Sequence, residues 1–362
     1  MEIHQFAPAL LAGDAIGNQI RLLRRIIQAA GFHSKIYAAV IDPLCASEAH
    51  DYKEYIGDSQ NIGIYHHAIG TEIADYVCAL PDRIVPYYHN ITVPETFLGF
   101  NKPLQQAFKL GRQQLAQLSR ASYALAASEY NREEMLAVGY RDVDVLTYGI
   151  EMTEEANSGS QQTANKIKQT LLDGKTNWLF VGRIAPNKRQ DNVIRAFHYY
   201  HTQVNASSRL IFVGSSATSP AYGLALDLLV NRLGIARAVE FVGQVSDKAA
   251  LSAYYASADV FVCLSEHEGF CVPLLESMHF NVPIVALNRT AVPYTLGNSG
   301  ILIDDYRFDV IAEVIDLLRL NTMFREKIIA EQQRQMHSFA IDRVRPIMQV
   351  ILKRMTTLES II

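Results

Sequence analysis

Two glutamates, Glu268 and Glu276, lie eight residues apart in 266-EHEGFCVPLLES-277, with Gly269 just after the first and Pro273 between them. The run 259-DVFVCLS-265 reads as a strand that delivers its carboxyl end to Glu268. Pro273 suits the first position of a helix, 273-PLLESMHF-280, whose unpaired N–H groups aim back at the strand tip. Gly269, Phe270 and Cys271 would present backbone donors there, and Glu276 falls one helical turn inside, roughly 5 Å farther along. A carboxylate accepts several O–H bonds, so two of them at different heights suit two clusters of hydroxyl groups. The plainer alternative makes Glu268 a turn residue and Glu276 a first-turn acid favoured by the helix dipole by only ~0.3–1 kcal/mol.

A second constellation is 180-FVGRIAPNKRQDNVIRAF-197. A strand ends at Gly182, a short loop carries Arg183 and Lys188, and a helix begins around Gln190–Asp191. Strand, glycine turn and helix start form a natural anion site. Arg183 adds a fork that grips phosphate and Lys188 a mobile point charge; together they balance a diphosphate without a metal. Two solvated loop cations are the equal alternative from spacing alone. In the first half, 83-RIVPYYHNITVPETF-97 puts His89 and Asn90 at a strand's carboxyl end, and His66 and His67 end the strand before it. Such histidines are more often hydrogen-bond partners than catalysts. The loop 11-LAGDAIGNQ-19, with Gly13, Asp14 and Gly17, would let backbone come close to a ligand, although it is not a GxGxxG loop.

These residues need a scaffold. Twelve short β-branched or aromatic runs alternate with helix-period segments from residue 2 to residue 305, the pattern of βαβ units and parallel sheets. Twelve strands are too many for one core, and the pattern begins afresh near residue 177. The polar stretch 151-EMTEEANSGSQQTANKIK-168 is the linker candidate, and 309–359 reads as helical throughout. Two doubly wound α/β domains, with ligands at the carboxyl ends of their strands and a shared cleft, are expected. The composition agrees: 362 residues, 49% hydrophobic and 19% charged, with a net charge of -4 that offers nucleic acid no basic field. The amino terminus lacks the pattern of a secretory signal, and no window approaches the ~20 apolar residues of a membrane span. Four cysteines without metal-ligand spacing fit a reducing, cytoplasmic compartment. Two basic amphipathic segments, 20–30 and 105–120, keep peripheral attachment at the inner face of the cell membrane open, with a solvated crossover helix as the favoured reading of each. Asp142 and Asp144 lie at a strand's start, a poor place for a metal, and 174-GKT-176 lacks the leading glycine of a P-loop.

The runs 179-LFVGRIAPNKRQDNVIRAF-197 and 259-DVFVCLSEHEGFCVPLLESM-278, followed by 282-VPIVA-286, resemble the retaining glycosyltransferases of family 4. The likeness continues more loosely through 122–150 and is weakest over the first ~120 residues. It implies the GT-B architecture, two Rossmann-like doubly wound domains facing a central cleft. Residues 1–155 would form an acceptor-binding domain and 165–336 a nucleotide-sugar-binding domain, with a final helix at about 337–362 packing back on the first. It also implies roles. Arg183 and Lys188, beside Gly182, would hold the donor diphosphate, and Glu268 with the amides of Gly269, Phe270 and Cys271 the sugar hydroxyls. Glu276 would take the ribose, and Gly243 and Val245 the nucleobase. His89 would lie beside the transferring sugar, with Gly13, Asp14, His67 and Asn90 toward phosphate or acceptor; Glu268, His89, Arg183 and Lys188 would be the catalytic set. The family commonly has glycine where Cys271 and Arg189 stand, and often a second glycine at Asp14.

The implied reaction is retaining, metal-independent transfer of a hexose, with no cofactor, from a nucleoside-diphosphate sugar to a saccharide or lipid-linked acceptor in glycan biosynthesis. GDP-mannose is the preferred donor and a UDP-hexose or UDP-N-acetylhexosamine the next. The alternatives are a nucleotide-sugar epimerase, a phosphorylase, and a non-catalytic sugar-nucleotide-binding subunit.

Overall fold

The computed structural model describes residues 1–150 and 158–357. Their contacts divide into two units: Met1–Glu95, Pro103–Glu151 and Phe339–Ile362 form the first, Thr96–Lys102 and Met152–Ser338 the second.

The first unit is built on seven parallel strands: β1 (Ile3–Leu10), β2 (Ile36–Ile41), β3 (His50–Asp51), β4 (Ile62–His67), β5 (Arg83–Tyr88), β6 (Ala124–Ala126) and β7 (Val143–Val145). They stand in the order β3-β2-β1-β4-β5-β6-β7. β4 is buried along its whole length, as a parallel strand covered on both faces must be. The amphipathic helix Ala15–Ala29 turns Ile20, Leu22, Leu23, Ile26 and Ile27 to the core, while Arg21 and Arg24 reach Glu48. The helix Ile341–Thr357 also belongs to this unit. Its Arg354 binds Asp142 at 2.7 Å and Asp144 at 2.8 Å, so that aspartate pair anchors a helix.

The second unit has six parallel strands: β8 (Thr176–Val181), β9 (Ser208–Val213), β10 (Val239–Gly243), β11 (Val260–Cys263), β12 (Ile284–Leu287) and β13 (Ile301–Ile303). Their order, β10-β9-β8-β11-β12-β13, is that of dinucleotide-binding sheets. Its core gathers Trp178, Phe180, Phe197, Tyr200, Phe212 and Val262. Thr96–Lys102 joins this unit through Phe100, which packs edge-on against Tyr222, and Asn101, which donates to the Thr218 carbonyl. Among the described residues no helix is long and apolar enough to cross a membrane.

All twelve expected strands are present, and β3, two residues long, is the addition. One expectation needs correction. Of the linker, 151–157 lies outside the described residues, and from Ser158 the chain is already a helix, Ser158–Leu171. The segment 309–359 is helical over nearly all of its described residues, 309–357, in three successive helices. Asn321 caps a new helix by accepting from the Phe324 N–H, and a 3-10 turn at His337–Phe339 precedes the last helix.

Three neighbouring strands of the second unit end in the same tripeptide, Phe-Val-Gly: 180–182, 212–214 and 241–243. Phe180 pairs in register with Phe212, and Phe212 with Phe241; a register shift after Phe241 then sets Gly243 opposite Val213 at the carboxyl edge. Gly182 donates to the Val213 carbonyl and Gly214 to the Gly243 carbonyl. A β-carbon on Gly214 would stand 1.9 Å from the Gly182 oxygen, so the strand tips close up only because that position is bare. Gly214→Ala is expected to destabilise the protein by roughly 3 kcal/mol or more. Gly234→Ala (φ +72, with nothing near its β-carbon) should cost only ~1–2 kcal/mol. Urea unfolding of both decides it; equal losses would refute the close approach.

Candidate active site

In an open parallel sheet the crevice for a ligand opens where the strand order reverses. In the second unit that point lies between β8 and β11, and both constellations read from the sequence sit there. After β8 come Gly182, the exposed Arg183, and a 3-10 turn, Pro186–Lys188. After β11 come Glu266, His267 and Glu268. Lys188 Nζ lies 2.5 Å from Glu268 Oε2, with side chains only 16% and 7% exposed. The backbone fastens the same two loops. Glu266 N–H donates to the Asn187 carbonyl, and Asn187 Nδ2 to the His267 carbonyl. The Glu268 N–H is taken by Thr290 Oγ1 at 2.9 Å.

Arg189 explains how this loop dispenses with a glycine. It adopts the left-handed conformation (φ 50, ψ 42) that ends the 3-10 turn and precedes the helix Gln190–Tyr199. Its guanidinium then binds both oxygens of Asp191 at 3.1 and 3.2 Å, reaches Glu266 at 3.5 Å and lies over the Tyr306 ring. These contacts offset a backbone cost of ~1–2 kcal/mol. Cys271 is likewise left-handed (φ 71, ψ 66) and precedes the helix Val272–His279, in which Pro273 is the second residue and not the first as expected. Phe270 is fixed by Thr295 Oγ1, which donates to its carbonyl at 2.5 Å.

Glu276 faces the Tyr255 hydroxyl at 2.6 Å, and burial pushes its carboxyl above the ordinary range. Gly243 (φ +81) ends β10 and Val245 lies just after it, three strand positions from β11. At ~4.8 Å between strands this spreads the candidate groups along about 14 Å of sheet edge, the layout for an elongated ligand.

The first unit gathers its candidates at the ends of β1, β4 and β5. Gly13 is left-handed (φ +72) with open space at its β-carbon, and Asp14 caps the helix Ala15–Ala29 by accepting from the Gly17 N–H. Asn90 is left-handed too (φ 84), and its amide donates to Asn131 Oδ1 and Glu134 Oε2, each at 2.8 Å. His67 contacts the Gly111 carbonyl at 2.9 Å. His89 is linked into a buried chain running Gln5, His66, His89, Tyr148, with separations of 3.0, 2.8 and 2.7 Å. Gln5 spends its N–H on the Ile20 carbonyl, so its oxygen accepts from His66 Nε2. His66 Nδ1 then accepts from His89 Nε2, and His89 Nδ1 accepts from Tyr148. Both nitrogens of His89 are therefore committed, and the ring is a fixed neutral surface, not a proton carrier.

The signals that sequence reading missed were present: Phe-Val-Gly occurs three times and marks Gly214, and Cys263 stands eight residues before Cys271. Cys263 Sγ lies 3.9 Å from Cys271 Sγ.

Burial drives the His66 and His67 rings down to about 3 and about 4, and His89 well below its ordinary value. The unfolded chain, titrating near 6.5, binds protons that the folded one refuses. Stability is therefore intact above pH 6.5 and falls as pH drops toward 4, by up to ~1.4 kcal/mol per pH unit for each ring. Urea midpoints at pH 7.5, 6 and 5 should show this slope, and His66→Gln and His67→Gln should each flatten it; slopes equal to the parent would contradict the assignment.

Comparison with known proteins follows the same division. Residues 161–335 match the family model of glycosyl transferases group 1. An O-antigen chain mannosyltransferase B of Escherichia coli is 24% identical over 267 residues, covering 72% of this chain and 64% of that protein. A D-inositol 3-phosphate glycosyltransferase of Jonesia denitrificans is 24% identical over 268 residues, covering 72% and 62%. The chain thus spans less than two thirds of the length of these curated relatives. Among solved structures, Anabaena HepE, determined in complex with UDP and glucose, superposes with a TM-score of 0.75 at 18% identity over 99% of this chain and 100% of that one. Over residues 161–335 the chain is a match to the group 1 glycosyl transferases, and its two parallel α/β units have the fold of GT-B enzymes.

Proposed function

We propose that the protein is a retaining, metal-independent hexosyltransferase that takes its sugar from a nucleoside diphosphate. The observation that carries this reading is the contact of Lys188 with Glu268 at the switch point of the second unit. It joins a cation suited to phosphate to an acid suited to a sugar hydroxyl, one donor length from Gly243 and Val245. In this reading Arg183 and Lys188 meet the diphosphate. Glu268 and the amides of Gly269, Phe270 and Cys271 hold the hexose, Glu276 the ribose, and Gly243 and Val245 the base. Two cations match the charge of a diphosphate, which is why no metal is assigned to the step.

As the bond from the anomeric carbon to the diphosphate oxygen breaks, negative charge grows on the leaving group, where Arg183 and Lys188 stabilise it. The acceptor oxygen bonds to the face that the diphosphate leaves, and its proton passes to a phosphate oxygen. The configuration is kept. In the first unit, Gly13, Asp14, His67, His89 and Asn90 are assigned to the acceptor side, His89 as a positioning surface because its nitrogens are committed. The acceptor is a saccharide or lipid-linked saccharide. GDP-mannose is the donor we favour, supported by the likeness to a mannosyltransferase; a UDP-hexose is the second reading, supported by the likeness of fold to HepE in complex with UDP and glucose.

Thermal-shift titration with GDP-mannose, UDP-glucose and UDP-N-acetylglucosamine should single out one donor. A ligand at ~100 times its dissociation constant adds ~2.7 kcal/mol of stability. Arg183→Ala and Lys188→Ala should each lower turnover by more than about tenfold, the scale of losing one stabiliser of transition-state charge. Unchanged turnover in both would remove the phosphate role, and conversion of donor without acceptor would turn the reading to an epimerase.

A further inference from the structure

No step of sugar transfer uses a thiol, yet two of them flank Glu268. Cys263 ends β11, and Cys271 occupies the left-handed position before the helix Val272–His279. Glycine would adopt that conformation freely, whereas a residue with a β-carbon pays ~1–2 kcal/mol. The sulfurs stand 3.9 Å apart, and the ligand atoms of Cys263, Glu268 and Cys271 all lie within 4.8 Å of one another, on three buried residues. Two sulfurs bound at ~2.3 Å to one tetrahedral ion are ~3.8 Å apart. The pair already has the spacing that a single zinc-type ion requires.

We propose that Cys263, Cys271 and Glu268 form a binding site for one thiophilic divalent cation such as Zn²⁺. Charge supports it. Two thiolates and a carboxylate bring three negative charges, the cation two positive ones, and Lys188, 2.5 Å from Glu268, supplies the third. Binding sends two thiol protons to solvent and leaves a fourth coordination position for water. Sulfur ligands select against hard cations such as Mg²⁺. The other close group, Glu2, His4 and His33, is a poorer candidate. Its His4 Nδ1 accepts from the Lys35 N–H, which keeps the proton on Nε2, the atom facing Glu2 at 2.8 Å and the one a metal would need.

Occupation takes the Glu268 carboxylate away from a sugar hydroxyl, so the cation is an inhibitor of the reaction proposed above. That consequence rests on the transfer reading; the binding does not. The test is titration of the reduced full-length chain with Cd²⁺, following the ultraviolet thiolate-to-cadmium band. One ion per chain is expected, competed by Zn²⁺ and stripped by EDTA. The band should persist in a Cys45→Ser/Cys78→Ser double variant and vanish in Cys263→Ser and in Cys271→Gly, the latter suited to the left-handed backbone. Absence of the band in the parent, or its persistence in Cys271→Gly, overturns the site. If the site binds but transfer proceeds unchanged under saturating Zn²⁺, the inhibitory arm is overturned and the site stands.

Discussion

A lysine and a glutamate, both largely removed from water, neutralise each other where the second sheet reverses its strand order. Taking either charge out of solvent is unfavourable, and removing one partner from such a pair typically costs about 3–5 kcal/mol. The local structure is arranged so that neither is left unpaired. Asn187 links the two loops through both its backbone and its amide, Thr290 holds the Glu268 N–H, and Arg189 is fastened to Asp191, Glu266 and Tyr306. Loosening any of these would set the two charges adrift.

The three Phe-Val-Gly tips extend this logic along the sheet edge. The Phe212 ring stacks on Phe241 and meets Phe180 at a tilt across neighbouring strands, and the bare Gly214 lets its backbone meet that of Gly182 above. Along this edge lie a rim of backbone with little side-chain bulk, then a cation, then an acid, the order in which the proposed elongated anionic donor would meet them. The order of groups along the edge follows from strand order, which no single loop encodes.

The first unit treats its polar residues differently. Its His66 and His89 form a buried chain with Gln5 and Tyr148 in which each proton position is specified by the next partner. Such an arrangement holds shape at neutral pH and is sensitive to acid. That makes His66, His67 and His89 structural neutrals whose charge would disrupt the fold.

Much of this was legible beforehand. β-branched runs alternating with helical ones specify a parallel sheet through local physics, since parallel strands need crossover helices and burial on both faces. The spacing of Arg183 to Lys188 and of Glu268 to Glu276 placed each pair on one strand–loop–helix step, but spacing alone left solvated loop cations, a turn residue and a first-turn acid as the alternatives. The sequence could not show that Lys188 touches Glu268, that Gly214 yields room to the Gly182 carbonyl, or that Cys263 and Cys271 bring their sulfurs beside the same acid. Nor did it show that Arg189 and Cys271 adopt a backbone that favours glycine. Local periodicity encodes which elements form; which residues meet is decided by how distant strands line up, and that is settled only when the sheets assemble.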